Sequence, residues 1–323
     1  MSAILVVRPS SLGDVVHALS LVADARAARP ELAIDWVAEE AFVDLPAMCA
    51  DVRRVVPLAL RRWKRAPLRP AHWRELARLR ALLREERYEA ILDLQEQVKG
   101  GFVARLARGR RHGFDRASIR EPVAALFDDV HHAVPRGLHF AARCRMLAGR
   151  ALGYEPEGAP RWRFAPPPPD AALAARPYVV AVHATSRATK LWPEERWHAL
   201  LKGFAQAGLA VLLPWGSDAE RERSERLASG VDGARVPPRQ PLAAMAGLLA
   251  RAELAVGVDT GLTHLAAALG TPTIALFTVT DPAGAGVAIA GGHARDLGGN
   301  GDVPSLDDAR RAAGALLRAA PRC

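Results

Sequence analysis

Short apolar runs alternate with stretches of helical periodicity along the chain. In the first half, residues 4–8, 33–37, 54–57, 90–94 and 112–114 read as strands. Helices are predicted over 15–28, 73–86, 102–108 and 139–152. In the first of these, Val15, Leu19 and Val22, then Ala25 or Arg26, fall at helical spacing. A second series gives strands over 178–183, 209–214, 254–258 and 273–277. Its helices cover 194–207, 219–228, 242–251, 262–269 and 306–319. Strand–helix alternation predicts mostly parallel sheets with both faces covered. Between the two series stands Phe164-Ala165-Pro166-Pro167-Pro168-Pro169-Asp170. Four consecutive prolines fit neither a helix interior nor a central strand, so this segment reads as a linker. The predicted class is α/β, with two doubly wound Rossmann-like domains over 1–165 and 170–305. A final helical segment, 306–323, is expected to pack back on the first domain. Ligand is expected in a cleft between the domains, at the carboxyl ends of the strands.

Composition supports this division. The 323 residues are half hydrophobic and 24% charged, which suits two domains and excludes a disordered chain. No apolar stretch approaches the roughly 20 residues of a membrane-spanning helix. The apolar run at 1–8 is too short for a signal peptide and has no basic region before it, so a cytoplasmic protein is expected. Cys49, Cys144 and Cys323 are far apart and form no CxxC pair, which suggests neither a disulfide framework nor a zinc site. The net charge of +9 is concentrated: residues 52–111 hold seventeen Lys and Arg against six Asp and Glu. Such a block is either a surface for a polyanion or a solvated, arginine-rich helix face.

The fingerprints G-x-G-x-x-G and G-x-x-x-x-G-K-[ST] are absent. Three strand-to-helix turns nevertheless carry small and polar residues. The first is Arg8-Pro9-Ser10-Ser11-Leu12-Gly13-Asp14. Gly13 allows close approach of a ligand. Asp14 fits two roles, capping the helix that follows or removing a proton from an acceptor hydroxyl. The second runs from Val182-His183-Ala184-Thr185-Ser186 through Lys190-Leu191-Trp192-Pro193-Glu194-Glu195. Its hydroxyls and Lys190 suit phosphate oxygens, or form an ordinary surface loop. The third is Val258-Asp259-Thr260-Gly261-Leu262-Thr263-His264. A helix N-terminus opening on Thr260 and Gly261 is a ready anion site. Asp259 would repel a phosphate and is expected to orient the loop. His264 either donates to a diphosphate oxygen or is a satisfied, partly buried histidine.

The combination is more specific than its parts. Ser-Ser-Leu-Gly-Asp, His-Ala-Thr-Ser with Lys-Leu-Trp-Pro-Glu-Glu, Leu-Pro-Trp-Gly, and Val-Asp-Thr-Gly-Leu-Thr-His-Leu-Ala-Ala-Ala together resemble glycosyltransferase family 9, the ADP-heptose:lipopolysaccharide heptosyltransferases. The resemblance runs from residue 1 to about residue 285. Segments 33–40, 60–64 and 120–122 resemble the branch that adds the first heptose to the Kdo region of lipid A.

This resemblance implies a GT-B fold and inverting, metal-independent chemistry with no cofactor beyond the ADP-heptose donor. Asp14 would be the general base. Thr185, Ser186, Lys190, Asp259, Thr260, Gly261 and His264 would form the diphosphate site. Glu220 would contact the ribose, although it equally fits the start of an exposed helix. Ser10, Ser11, Gly13, Arg61, Arg62, Lys64, Lys99 and Arg120 would face the acceptor, with His131, His132 and His139 as weaker candidates. The implied partners are Kdo-lipid A and the anionic inner leaflet, with the enzyme a monomer peripheral to the cytoplasmic face of the inner membrane and binding no nucleic acid. Two departures stand out. Glu96, in the segment Asp93-Leu94-Gln95-Glu96-Gln97-Val98-Lys99, puts a carboxylate near an anionic acceptor. The segment 277–282 lacks the Gly-Pro-Thr form of its relatives. Three rival readings are a family-9 enzyme acting later in the core, such as the second heptosyltransferase, a GT-B epimerase, and a basic nucleic-acid-binding protein. The last lacks any helix-turn-helix, zinc or RNP signature.

Overall fold

The computed structural model describes residues 2–66 and 69–319, so Cys323 lies outside them. The chain divides into two compact units, Met1–Ala165 and Pro166–Cys323, and the proline run opens the second.

Among the described residues, the first unit holds six parallel strands: β1 (Ala3–Val7), β2 (Ala33–Glu39), β3 (Arg54–Leu58), β4 (Arg87–Asp93), β5 (Arg108–Phe114) and β6 (Val130–His132). Their order is β3-β2-β1-β4-β5-β6. All positions of β1 and β2 are buried. Both faces are covered, which is why β1 is apolar throughout and does not alternate. The helices are α1 (Leu12–Ala28), α2 (Asp44–Ala47), α3 (Leu60–Arg65), α4 (Pro70–Leu83), α5 (Val98–Ala104) and α6 (Phe140–Leu152). On one side of the sheet, Leu5, Val7, Val37, Val56, Ile91 and Val103 share a core. Val7 aligns with Val37 on one side and Asp93 on the other. Strand order reverses there, and a doubly wound sheet binds ligands at that point.

Helix α5 begins four residues earlier than predicted. It runs through Gly100 and Gly101, two poor helix formers. A Cβ at Gly100 would stand 2.7 Å from Asp93 Oδ1, and one at Gly101 would stand 2.5 Å from Phe127 Cβ. Close packing outweighs propensity here, and Arg108, predicted helical, opens β5.

The second unit repeats the design. Its elements are β7 (Tyr178–Val182), α7 (Glu194–Gln206), β8 (Ala210–Leu212), α8 (Asp218–Ala228), β9 (Ala234–Arg235), α9 (Leu242–Ala250), β10 (Leu254–Val258), α10 (Gly261–Ala268), β11 (Thr273–Phe277), α11 (Pro282–Ala285), β12 (Ala294–Gly298) and α12 (Leu306–Ala319). The order β12-β11-β10-β7-β8-β9 is that of the first sheet read from the other edge, with the reversal between β7 and β10. Strands β9 and β12 escape prediction because the first has two residues and the second reads Ala-Arg-Asp-Leu-Gly. The expectation for the final helix is corrected. Ala309, Ala313 and Leu316 of α12 join Trp197, Leu201 and Val256 in the core of the second unit, so its apolar stripe is spent there. No helix among the described residues is long and apolar enough to cross a membrane.

Candidate functional site

Each reversal point is followed by a turn that pairs a carboxylate with a cation. In the first unit the chain leaves β1 at Val7, and Asp14 is the third residue of α1. Three donors meet on Asp14 Oδ2: the Ser11 N–H at 2.9 Å, the Ser11 hydroxyl at 2.8 Å and Arg8 Nη2 at 2.7 Å. Burial works against the charge on Asp14. The Arg8 guanidinium and the two Ser11 bonds outweigh it and hold the carboxyl below the usual carboxylate range. The side chain stays 38% exposed, so an oriented, ionised carboxylate faces solvent. Arg8 itself is buried, 4.6 Å over the Phe140 ring, and also donates to the Leu94 carbonyl.

The loop after β4 completes this end of the sheet. Gln95 Oε1 accepts from the Ser10 N–H at 3.3 Å, and Lys99 Nζ lies 3.4 Å from Ser10 Oγ. Burial pulls the Lys99 pKa down, and the charges of Lys64, Arg8 and Arg61 pull it further. Ser10 and Lys99 therefore meet at the Asp14 turn with Arg8, and Lys64 and Arg61 are near enough to act on Lys99. Gly13 is the second residue of α1. The Arg61 N–H is fixed on buried Glu39 at 2.8 Å, and its guanidinium stacks 4.7 Å over Phe42. Arg62 does not join them, being paired with Glu40 at 2.8 Å and Glu75 at 3.0 Å. Arg120 is exposed beside Glu121, which accepts the Val98 N–H at the start of α5 at 2.9 Å.

The histidines serve the scaffold. His139 Nδ1 accepts the Ala141 N–H at 3.2 Å at the start of α6. His132 stacks on His112 with ring centres 5.3 Å apart, and His131 meets the Ala125 carbonyl. Glu96 poses no conflict with an anionic ligand. It adopts a left-handed φ of 59° and is buried against Arg143.

In the second unit the turns after β7 and β10 interlock. Lys190 Nζ is 2.5 Å from Asp259 Oδ2, His264 Nε2 is 3.4 Å from Oδ1, and the Thr185 hydroxyl donates to the Asp259 carbonyl at 3.2 Å. Burial again opposes ionisation of Asp259. Hydrogen bonds from His264 and Lys190 outweigh it and keep the carboxyl below its usual range. Asp259 thus ties the two turns together through Lys190, His264 and Thr185. Thr260 occupies the N-cap of α10, Gly261 opens the helix, and His264 lies one turn in, buried. Ser186 is exposed on the first loop. Glu220 reaches back to the Gly216 N–H at 2.7 Å while Ser217 Oγ accepts the Glu220 N–H at 3.4 Å. Its position is thereby explained by helix capping.

Four residues of these sites were not singled out from sequence. Arg8, although inside the first motif, read as the end of a strand. Thr278 donates to the Thr189 carbonyl at 2.8 Å and holds the Lys190 loop. Asp296 on β12 accepts the Val287 and Ala288 N–H groups at 2.8 and 3.1 Å, close enough to feel the charges of His264 and Asp259. His183, fully buried, bonds Ser224 Oγ at 2.7 Å. A charge directly after an apolar run was a readable signal for Arg8. Asp296 gave none, since its strand carries no apolar pattern.

Two reversal points, one bearing an ionised carboxylate paired with Arg8 and the other a Lys–Asp–His turn on a helix N-terminus, belong to a known class of enzyme. The glycosyltransferase family 9 (heptosyltransferase) profile matches residues 76–290, and the chain belongs to that family; its paired doubly wound units are of the GT-B type. Within the family it is similar to lipopolysaccharide heptosyltransferase 1 of Escherichia coli K12, at 41% identity over 286 residues, covering 86% of this chain and 88% of the relative. The solved E. coli heptosyltransferase WaaC with ADP superposes with a TM-score of 0.88 at 34% identity, covering 98% of this chain and all of the other. The same enzyme with ADP-2-deoxy-2-fluoro heptose gives a TM-score of 0.86, covering 98% of this chain and 99% of the other.

Proposed function

We propose that this glycosyltransferase moves heptose from ADP-heptose to the Kdo region of lipid A, the first heptose of the lipopolysaccharide inner core. Transfer is a single inverting displacement. Asp14 takes the proton from the acceptor hydroxyl as that oxygen attacks the anomeric carbon, and the ADP diphosphate leaves. Lys190, the Thr185 and Ser186 hydroxyls and the α10 N-terminus meet the diphosphate charge, so no metal is required. Arg61, Lys64 and Lys99 meet the phosphates and carboxylates of the acceptor. The enzyme acts as a monomer at the cytoplasmic face of the inner membrane.

The observation that carries this reading is Asp14. It is a carboxylate kept ionised by Arg8 and Ser11, still 38% exposed, on a turn whose Ser10 meets Lys99. A capping residue alone needs no such surroundings. The likeness to a heptosyltransferase solved with ADP supports the donor half.

The test is transfer from ADP-heptose to Kdo-lipid A in EDTA. Wild type should release ADP and form product, while Asp14→Ala should bind donor and turn over at least about a hundredfold more slowly. Donor binding without transfer by wild type would sink the acceptor assignment. Activity that vanishes in EDTA and returns with magnesium would refute metal independence.

A further inference from the structure

A pocket of about 250 Å³ lies between α3 and α4. It is smaller than the roughly 300–1,000 Å³ that encloses a whole drug-sized ligand, and suits a segment of a chain. Leu60, Trp63, Lys64, His72, Trp73 and Leu76 line it, so the wall is apolar apart from one lysine and one histidine. Trp73 is 67% exposed, an expensive way to leave an indole in water. Trp63 donates its indole N–H to Glu75 at 2.6 Å, which frees the ring for apolar contact. His72 is only 8% exposed, and its Nδ1 has no hydrogen-bond partner among the described residues. The charge beside the pocket is positive, since Lys64 lines it and acts with Arg61 on Lys99, at the edge of the Asp14 turn.

We infer that this pocket binds part of one acyl chain of the lipid acceptor, with Lys64 on its anionic head. The inference rests on the proposal that the acceptor is a phosphorylated lipid. An amphipathic anion matches these features: an apolar body for Trp63, Trp73 and Leu76, and a negative charge for Lys64. The pocket would then set the depth at which the sugar presents its hydroxyl to Asp14.

The experiment uses the full chain and two probes. Dodecyl phosphate, kept below its critical micelle concentration, is titrated calorimetrically, with inorganic phosphate as the head alone. Transfer is then measured on Kdo-lipid A and on its fully deacylated form. Trp73→Ala, at a largely exposed position, should weaken dodecyl phosphate and raise KM for the acylated acceptor about tenfold, the scale of losing most of one apolar contact surface. It should leave kcat, and KM for the deacylated acceptor, within about twofold, since no contact near Asp14 changes. Unchanged dodecyl phosphate binding, or an equal shift for both acceptors, would overturn the inference. Trp73-dependent binding of dodecyl phosphate with transfer to neither acceptor would uphold the pocket and remove the proposed acceptor.

Discussion

His183 ends the apolar run of β7 and leads directly into the loop that carries Thr185 and Lys190. It is fully buried with Nε2 on Ser224 Oγ. Burial, and then the charge of Arg223, press its pKa down to about 4. In the unfolded chain an unperturbed histidine titrates near 6.5. Between these values the unfolded state binds a proton that the folded state refuses. Stability is therefore complete above the unfolded pKa and declines as pH falls, until the folded pKa is reached. Each unit of difference is worth about 1.4 kcal/mol. From pH 7.5 to pH 5 the histidine crosses about 1.5 units of this window, so its share of the loss is about 2 kcal/mol. Asparagine at this position can keep a hydrogen bond to Ser224 and does not titrate. Hydrogen exchange of the β7 amides reports local opening of the second unit. The wild-type free energy of β7 opening should drop between these pH values by about 2 kcal/mol more than that of His183→Asn. Equal drops in the two proteins would refute the account.

Arg8→Met should move the acid limb of kcat/KM up by about one to two units, the lower part of the range for losing an adjacent opposite charge, since Asp14 is partly screened by solvent; a pH–rate profile decides it. Lys190→Ala should raise KM for ADP-heptose by about tenfold or more, because Lys190 is lost as a charged hydrogen-bond donor and Asp259 is left to face the diphosphate. Among the basic residues, Lys99→Ala should raise the acceptor KM about tenfold while Arg62→Ala, already paired with two glutamates, changes it less than about twofold; the reverse order would overturn the assignment of the patch. Gly257→Ala should cost about 1–3 kcal/mol in a denaturant melt, because its Cβ would fall 2.1 Å from Thr263 Oγ1 and 2.9 Å from Val182 Cβ.

The long elements were legible because their apolar content is decided by burial. Strands β10 and β11 and helix α12 begin and end where the hydrophobic pattern does. What escaped was set by neighbours. Short β6 and β9 exist through pairing to β5 and β8, and the Gly100–Gly101 pair is helical through contact with Asp93, Gln95 and Phe127. The turns at the reversal points were readable as clusters of small and polar residues. The partners inside them were not. The charge count in 52–111 could not reveal that Arg53 and Arg54 would converge on buried Asp35, or Arg62 on Glu40. Four of the seventeen basic residues, Arg53, Arg54, Arg62 and Arg111, are paired with carboxylates, several of them from outside the segment, while Arg74, Arg78 and Arg80 stay exposed along α4. The destination of Glu96 was likewise hidden, because Arg143 lies 47 residues away.

In the proposed donor site, the Lys190–Asp259 pair would bear on turnover as well as on binding. If Lys190 holds the leaving diphosphate, it does so with a resident carboxylate 2.5 Å away that competes for the same ammonium group. An unopposed cation would grip ADP as firmly as the transition state, and spent nucleotide would clog the enzyme. A built-in anion lowers the affinity for a charge already present in both donor and product, while the extra charge that develops only as the glycosidic bond breaks still finds His264 and the α10 N-terminus. On the proposed donor site, the aspartate would act as an internal eluent, easing ADP out so that the next donor can enter.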